Sequence, residues 1–185
     1  MPKPTISLCI LAKNEEANLA NCLNSVKDIA DEIIIVDTGS TDKTKEIAKR
    51  FNAKIFDFKW GDDFSAARNE SLKHATKDWI LVLDADEIIE KKDLIKIKNA
   101  IKNAKDFVGF SLEQRSYINN FFESAVKNDS DFHLVRDYPF YITHFLVRLF
   151  KNRLGLYFKN KVHELVEDSI KEKNLKYKKI DVVLH

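Results

Sequence analysis

The feature that most constrains the fold is a run of apolar residues that ends in closely spaced acids. Residues 79–83 are apolar without interruption, and Asp84 and Asp86 follow directly. Such a run is typical of a strand buried on both faces, as in the centre of a parallel sheet. Ligands of open α/β sheets bind beyond the carboxyl ends of the strands, so both carboxylates are predicted to lie at a binding site. A divalent metal ion is the simplest group that would offset their repulsion.

The first half of the chain alternates between strand and helix patterns. We predict strands over 6–11, 32–36, 53–58 and 79–83, and helices over 14–26, 44–51, 65–75 and 94–104, with Asn14 as a helix cap. Alternation of this kind predicts βαβ units and a parallel sheet. The predicted fold class is therefore α/β, a three-layer α/β/α sandwich around a mostly parallel central sheet.

The second half has a different pattern. Further strands are predicted over 107–112, 144–150, 156–162 and 180–184. The segment 115–143 is long for a structureless connection, so we expect a functional loop or a pair of short elements there. The last residue follows a strand pattern directly, which indicates a domain truncated at its carboxyl end.

Composition narrows the classes of protein. A chain of 185 residues is typical of a single domain, predicted here as residues 1–185. The net charge of +2 argues against a dedicated nucleic-acid binder, so no nucleic-acid partner is expected. The four glycines form no G-x-G-x-x-G or Walker pattern, which disfavours dinucleotide-binding enzymes and P-loop NTPases.

Two further observations concern the cellular compartment. Cys9 and Cys22 lie in apolar patterns and are predicted to be buried, reduced thiols, which suits a reducing cytoplasm. No signal peptide and no stretch near the ~20 apolar residues of a membrane span is visible. Five lysines within residues 171–179 are typical of a solvated face, with peripheral contact to acidic lipid at the inner face of the cytoplasmic membrane as the alternative.

Acidic residues follow all four strands predicted in the first half. They are Glu15, Asp37, the pair Asp62 and Asp63, and the pair Asp84 and Asp86. Because parallel strands end at one edge of a sheet, these acids are predicted to line one crevice. For each acid taken singly, helix capping is the alternative explanation.

Four segments resemble the signature of family 2 glycosyltransferases in composition, spacing and order. They are residues 6–16 (ISLCILAKNEE), 35–42 (IVDTGSTD), 63–69 (DFSAARN) and 83–87 (LDADE). The chain is most similar to the subgroup of bacterial lipopolysaccharide-core β-glucosyltransferases. The resemblance implies the nucleotide-diphospho-sugar transferase (GT-A) fold, with a nucleotide-binding half over 1–105 and an acceptor-binding half over 106–185.

The resemblance also implies roles for residues that bind the nucleotide. Asp37 would hydrogen-bond the base, usually uracil, and Glu15 would contact the nucleoside. Arg68 would position the nucleotide, and Asp63 would support that arginine or the base.

A metal site follows from the same resemblance. The first acid of D-x-D, Asp84, would bind the ribose, and the second, Asp86, would be the main metal ligand. His185 resembles a late histidine that ligates the metal in relatives. The expected ion is Mn²⁺ or Mg²⁺, since carboxylates are suitable ligands for both.

Residues near the acceptor are implied by two further matches. The segment 162–164 (VHE) resembles one common in the subgroup, which suggests Glu164 as the catalytic base and His163 as a group that orients the acceptor. Arg148 matches a basic residue near the acceptor. The ordinary alternatives are a helix-start carboxylate, a structural histidine and a surface arginine, respectively.

The predicted function is inverting transfer of a sugar from a nucleotide-sugar, expected to be a UDP-sugar, to a hydroxyl of a glycan or lipid-linked acceptor. The expected context is cell-surface glycan or lipopolysaccharide synthesis in the cytoplasm. Two alternatives belong to other classes. One is a non-catalytic module that binds a nucleotide-sugar, and the other is a haloacid-dehalogenase-like phosphatase with Asp84 as nucleophile and Asp86 as acid/base.

Overall fold

The computed structural model describes residues 3–185, which form five helices and eight strands. In chain order these are β1 (Ile6–Ala12), α1 (Leu19–Val26), β2 (Glu32–Asp37), α2 (Thr44–Arg50), β3 (Lys54–Asp57), α3 (Phe64–His74), β4 (Trp79–Asp84), α4 (Lys91–Lys102), β5 (Gly109–Ile118), β6 (Val126–Lys127), β7 (Phe140–Lys151), α5 (Glu167–Glu172) and β8 (Tyr177–Leu184).

One sheet runs through the described chain in the order β3-β2-β1-β4-β7-β5-β8, and β6 pairs with β7 outside this path. Strands β1 to β4 are mutually parallel, while β7 is antiparallel to both of its neighbours, β4 and β5. Strand β8 is parallel to β5. Six of the seven strands on the path therefore share one direction, which confirms the predicted mostly parallel sheet.

Helices cover both faces of the sheet. Strand β4 shows the pattern: Leu81 and Leu83 pack in one core with α1, α2 and α4, while Ile80 and Val82 pack in a second core with α3 and α5. All four side chains are buried, as the continuous apolar run predicts. The predicted three-layer α/β/α sandwich is confirmed.

The first predicted helix begins later than its sequence pattern indicates. Helix α1 begins at Leu19, and Asn14 is no cap but has a positive φ of 56°. Asparagine tolerates this left-handed conformation better than most residues. The Asn14 Oδ1 accepts a hydrogen bond of 2.8 Å from the Thr41 N–H, which ties the loop after β1 to the loop after β2.

Of the four strands predicted in the second half, three are present as β5, β7 and β8, and the one over 156–162 was wrong. Residues 156–162 form no strand; positive φ angles at Asn160 and His163 interrupt extended backbone nearby, and pairing there is limited to an isolated bridge between Lys159 and Leu165. Strands β5 and β7 are longer than predicted and pair along nearly their whole length. They take up the two ends of the segment 115–143 and leave residues 119–139 between them, where β6 lies.

Both cysteines are free and buried, as predicted. Across the described residues, we find no helix with the length and apolar character needed to cross a bilayer.

Candidate active site

The site lies where the strand order reverses. From β1 the sheet grows through β2 to β3, and β4 then returns to the other side of β1. The carboxyl ends of β1 and β4 therefore border a crevice, with Leu11 opposite Asp84 in the register. A cavity of about 800 Å³ opens here. The predicted site residues that line it are Glu15, Arg68, Asp84, Asp86, Arg148, His163 and Glu164.

Two buried arginines hold the carboxylate of Asp84. Arg68 from α3 forms a short ion pair with Oδ1, and Nη2 of Arg148 from β7 lies 3.1 Å from Oδ2. Burial alone would oppose ionisation, but the two guanidinium groups outweigh it and hold the pKa of Asp84 well below its usual range. Asp84 is therefore a fixed anion whose two oxygens both face arginine.

Arg68 joins Asp84 to the predicted catalytic base. Its Nε donates to Oε1 of Glu164 at 3.2 Å, while its Nη2 contacts Asp84. Helix α5 begins at Glu167, so the side chain of Glu164 belongs to the preceding loop rather than to a helix start. One guanidinium thus fixes this loop against the end of β4.

Arg148 is buried, which rules out the surface-arginine alternative. Only 7% of the residue is exposed, and Nη2 also lies 3.2 Å from Oε1 of Glu87. The Arg148 Nε is buried without a hydrogen-bond partner. Because Nη2 is engaged by two carboxylates, the side chain braces the acidic strand end, and a role at the acceptor stays a prediction.

Glu87 belongs to the same network, although the sequence analysis assigned it no role. Its Oε2 accepts from the Asp84 N–H at 2.8 Å, and its Oε1 accepts from Gln114 Nε2 at 2.6 Å. Burial raises the pKa of Glu87, and Arg148 opposes that shift. The sequence signal that could have identified Glu87 as a site residue is its position three residues after Asp84 in the LDADE segment.

Asp86 differs from its neighbours because its side chain is exposed at the cavity. Among residues 3–185 it has no hydrogen bond or ion pair to another side chain. The described chain also holds no group of three or more His, Cys, Asp or Glu side chains arranged to bind a metal ion. A free carboxylate fits an ion such as Mg²⁺ that takes one or two protein carboxylates and completes its shell with substrate phosphates and water.

His185 is not among the described residues that line the cavity, and its metal role stays a prediction. Its Nδ1 lies 2.5 Å from the Tyr117 hydroxyl, and its Nε2 lies 3.2 Å from Oε1 of Glu90. The ring also packs against Phe132 at a centroid distance of 4.9 Å. Burial lowers the pKa of His185, and Glu90 opposes that shift. The Nδ1 atom is thus engaged by Tyr117, whereas Nε2 is buried and forms no hydrogen bond within the described residues.

Asp37 lies at the end of β2 beside Thr38, which lines the cavity. Its Oδ1 accepts from the N–H groups of Gly39 and Ser40 at 3.0 and 2.9 Å. Burial opposes ionisation, but the hydrogen bonds from Ser40 and Gly39 and the nearby ammonium of Lys45 lower the pKa of Asp37 below its usual value. The Oδ2 atom is buried and has no hydrogen-bond partner, and among the described residues it is Thr38, not Asp37, that lines the cavity.

The remaining predicted residues have simpler surroundings. Asp63 caps α3, because its Oδ1 accepts from the Ala66 N–H at 2.9 Å; Asp84 and Glu164, rather than Asp63, contact Arg68. The capping alternative is thus correct for Asp63.

Two further predicted residues lie at the cavity. Glu15 accepts a hydrogen bond from Asn18 Nδ2 at 3.0 Å, and His163 is exposed with a φ of 56°.

Solved structures share this architecture. The crystal structure of S. aureus TarS 1–349 in complex with UDP matches with a TM-score of 0.65 at 18% identity, over 97% of this chain and 60% of that chain. Glucosyl-3-phosphoglycerate synthase from Mycobacterium tuberculosis, solved with Mn²⁺, UDP and phosphoglyceric acid, matches with a TM-score of 0.52 at 22% identity, over 60% and 43% of the two chains. The fold is that of the nucleotide-diphospho-sugar transferases, the GT-A type.

Sequence comparison places the chain within this class. The model of the family described as "Glycosyl transferase family 2" matches residues 7–161. The chain belongs to glycosyl transferase family 2. This membership argues against the phosphatase alternative, and the site agrees because both oxygens of Asp84, the supposed nucleophile, face arginines.

Curated relatives are longer than this chain. A TPR repeat-containing protein of Synechococcus elongatus is 36% identical over 165 residues, which is 89% of this chain and 36% of the relative. The SPbeta prophage-derived glycosyltransferase SunS of Bacillus subtilis is 44% identical over 96 residues, which is 51% of this chain and 23% of the relative. The chain thus spans less than two fifths of the length of either relative.

Proposed function

We propose that this chain is a catalytic domain that transfers a sugar from a UDP-sugar to a hydroxyl acceptor with inversion at the anomeric carbon. The observation that carries the proposal is the convergence of Glu15, Arg68, Asp86 and Glu164 on one cavity at the switch point of the sheet. The matched structures support the donor class, because TarS and glucosyl-3-phosphoglycerate synthase were each solved with UDP.

The nucleoside end of the donor would lie over β1 and β2. The buried, unpartnered Oδ2 of Asp37 is an acceptor for a base N–H, as the uracil N3–H provides. An unmet buried acceptor carries a free-energy cost that such a hydrogen bond removes. Glu15, at the cavity wall, would contact the nucleoside.

The diphosphate would lie toward Asp86, with Mn²⁺ or Mg²⁺ as the bridging cofactor. When bound, such an ion neutralises the charge that develops on the departing diphosphate. Asp86 would hold the ion, since its carboxylate is exposed and unengaged by other side chains of the described chain. The Mn²⁺ in the UDP complex of glucosyl-3-phosphoglycerate synthase supports a divalent cofactor.

Glu164 would act as the base of a single displacement. The acceptor oxygen forms a bond to the anomeric carbon as the bond from that carbon to the UDP oxygen breaks. The acceptor proton passes to the Glu164 carboxylate, and UDP leaves with the bonding electron pair. Arg68 holds this carboxylate beside the end of β4 through the Nε contact at 3.2 Å, and a base so placed contributes roughly 10²–10⁴ in rate.

The acceptor would enter from the half of the cavity that carries His163 and Arg148. We extend the proposal to a glycan or lipid-linked acceptor in cell-surface or lipopolysaccharide synthesis, at the cytoplasmic side of a membrane. The support is the sequence resemblance together with an exposed run of lysines over residues 171–179, which suits an acidic lipid surface.

A measurement of UDP release tests the catalytic proposal and separates it from a module that binds the donor without turnover. The protein is incubated with UDP-glucose and UDP-GlcNAc in Mn²⁺, and free UDP is quantified. We expect the wild-type protein to release UDP at a rate above that of a protein-free control. Glu164→Gln should lower the rate of release by at least about 10²-fold, because it removes the proposed base. Asp86→Asn should also lower the rate by a large factor. Asp181→Asn is the matched control, because Asp181 is exposed and lies outside the cavity. Metal-dependent UDP binding without any UDP release would support the binding module instead.

A further inference from the structure

Residues 84–87 form a turn that two hydrogen bonds between Glu87 and Asp84 close. The backbone N–H of Glu87 donates to the Asp84 carbonyl at 3.1 Å, and its side-chain Oε2 accepts from the Asp84 N–H at 2.8 Å. Asp86 lies inside this turn and is exposed to the cavity. The direction in which the Asp86 carboxylate points is therefore set by a loop that one side chain holds in shape.

Glu87 is held in turn by the two long strands of the second half. Gln114 from β5 donates to Oε1 at 2.6 Å, and Arg148 from β7 places Nη2 at 3.2 Å from the same oxygen. Both contacts are to the same carboxylate oxygen, and Glu87 is only 5% exposed. Because the Glu87 carboxylate is shielded from water, the hydrogen bonds from Gln114 and Arg148 take the place of hydration.

We propose that Glu87 is a positioning residue for Asp86, through which β5 and β7 set the metal-dependent affinity for the nucleotide. This inference rests on the proposed function, since it takes Asp86 as the protein ligand of the metal. Within residues 3–185, Asp86 is the one cavity carboxylate without a hydrogen-bond or ion-pair partner, so the geometry of the turn would have a direct effect on binding of the ion. Partners that orient a metal ligand typically account for 10–100-fold in metal affinity.

The test compares UDP binding with and without Mn²⁺ by isothermal titration calorimetry. In Glu87→Gln the amide can still accept the Asp84 N–H but no longer neutralises Arg148. We expect the Mn²⁺ concentration that gives half of the gain in UDP affinity to rise by about 10-fold or more, while UDP binding without metal stays within about 2-fold of wild type. A purely structural role would weaken both kinds of binding together.

Glu32→Gln is the matched control. Glu32 is likewise buried and bonded by three side chains, but it lies at the amino end of β2, away from the cavity. It should lose stability without a change in the Mn²⁺ requirement. If Glu87→Gln does not fold, Gln114→Leu decides the matter, because it removes one anchor of Glu87 and leaves the ion pair with Arg148 in place; we expect a smaller rise in the Mn²⁺ requirement.

Two negative results have different meanings. If wild type requires Mn²⁺ and Asp86→Asn abolishes that requirement, yet Glu87→Gln and Gln114→Leu match wild type, the positioning role is overturned and the proposed metal site stands. If wild-type UDP binding is indifferent to Mn²⁺, or if Asp86→Asn leaves the dependence intact, the proposed metal site itself is overturned.

Discussion

At the scale of single residues, the two acids of the D-x-D motif have opposite surroundings. Asp84 is engaged by Arg68 and Arg148, whereas Asp86 is exposed and unengaged by other side chains of the described chain. The sequence predicted that both would lie at the site. It could not predict which acid was free, because the arginines are 16 and 64 residues distant along the chain and reach Asp84 only through the folded sheet.

This difference predicts opposite effects on stability. Asp84→Asn removes the anion between two buried guanidinium groups and should lower the free energy of unfolding by roughly 3–5 kcal/mol. Asp86→Asn removes an exposed charge and should change it by less than about 0.5 kcal/mol. Urea denaturation of both variants at pH 7 measures the difference. Equal effects of the two substitutions would show that the arginine contacts do not stabilise the fold.

Asp37 provides a second prediction at this scale. Asp37→Asn keeps an oxygen that can accept from the Gly39 and Ser40 N–H groups. It replaces the unpartnered Oδ2 by an uncharged NH₂ group, which is a donor and not an acceptor. A hydrogen bond to a charged group is worth about 1.5–3 kcal/mol, so UDP should bind roughly 10–100-fold more weakly. Calorimetric titration of UDP measures the change; an unaltered dissociation constant would mean that Asp37 does not contact the base.

At the scale of elements, buried carboxylates tie the strands together at the end opposite the cavity. Glu32 at the start of β2 accepts from Ser7 of β1 at 2.6 Å, from Lys54 of β3 at 2.7 Å, and from Thr76 before β4 at 2.9 Å. Burial alone would raise the pKa of Glu32, but these hydrogen bonds lower it to about 2. The ionised carboxylate of Glu32 thus joins β1, β2 and β3 to the segment that precedes β4.

The lowered pKa predicts how stability depends on pH. In the unfolded chain a glutamate has a pKa of ~4.3. The contribution of the Glu32 carboxylate to folding stability is therefore fully present above that pH and is lost as the pH falls from ~4.3 through about 2. We expect Glu32→Gln to be less stable than wild type by on the order of 3 kcal/mol at pH 7, and the gap to narrow below pH 4. Urea denaturation from pH 7 to pH 2.5 follows the gap; a constant gap would contradict the assignment.

Elements differ in how far the sequence predicts them. The central strands were predicted well because each is a continuous apolar run whose alternate residues fill the two cores, as in β4. The strand predicted over 156–162 was wrong because the segment is a loop with a positive φ at Asn160, in which Phe158 is buried but Val162 is exposed. Periodicity does not reveal such a loop. The length of β5 was missed because residues 113–116 are four consecutive polar residues that break the apolar pattern. The outer part of β7, residues 140–143, was included in the preceding segment.

At the scale of the whole molecule, the site depends on both halves of the chain. Acids at the ends of β1 and β4 come from the first half, and Arg148, His163 and Glu164 come from the second. The four ordered motifs predicted the first set, since the segments 6–16, 35–42 and 83–87 each run across the carboxyl end of a strand. The second set meets it because β7 pairs with β4, a long-range contact between the halves that no local pattern specifies.

The most direct test of the account is a crystal structure of the protein grown with UDP and Mn²⁺. We predict uracil beside the Oδ2 of Asp37 and Mn²⁺ within about 2.2 Å of an Asp86 carboxylate oxygen and of the diphosphate, with Asp84 still held by its two arginines. UDP and Mn²⁺ ordered at another surface, with the Asp86 carboxylate facing bare solvent, would contradict the account.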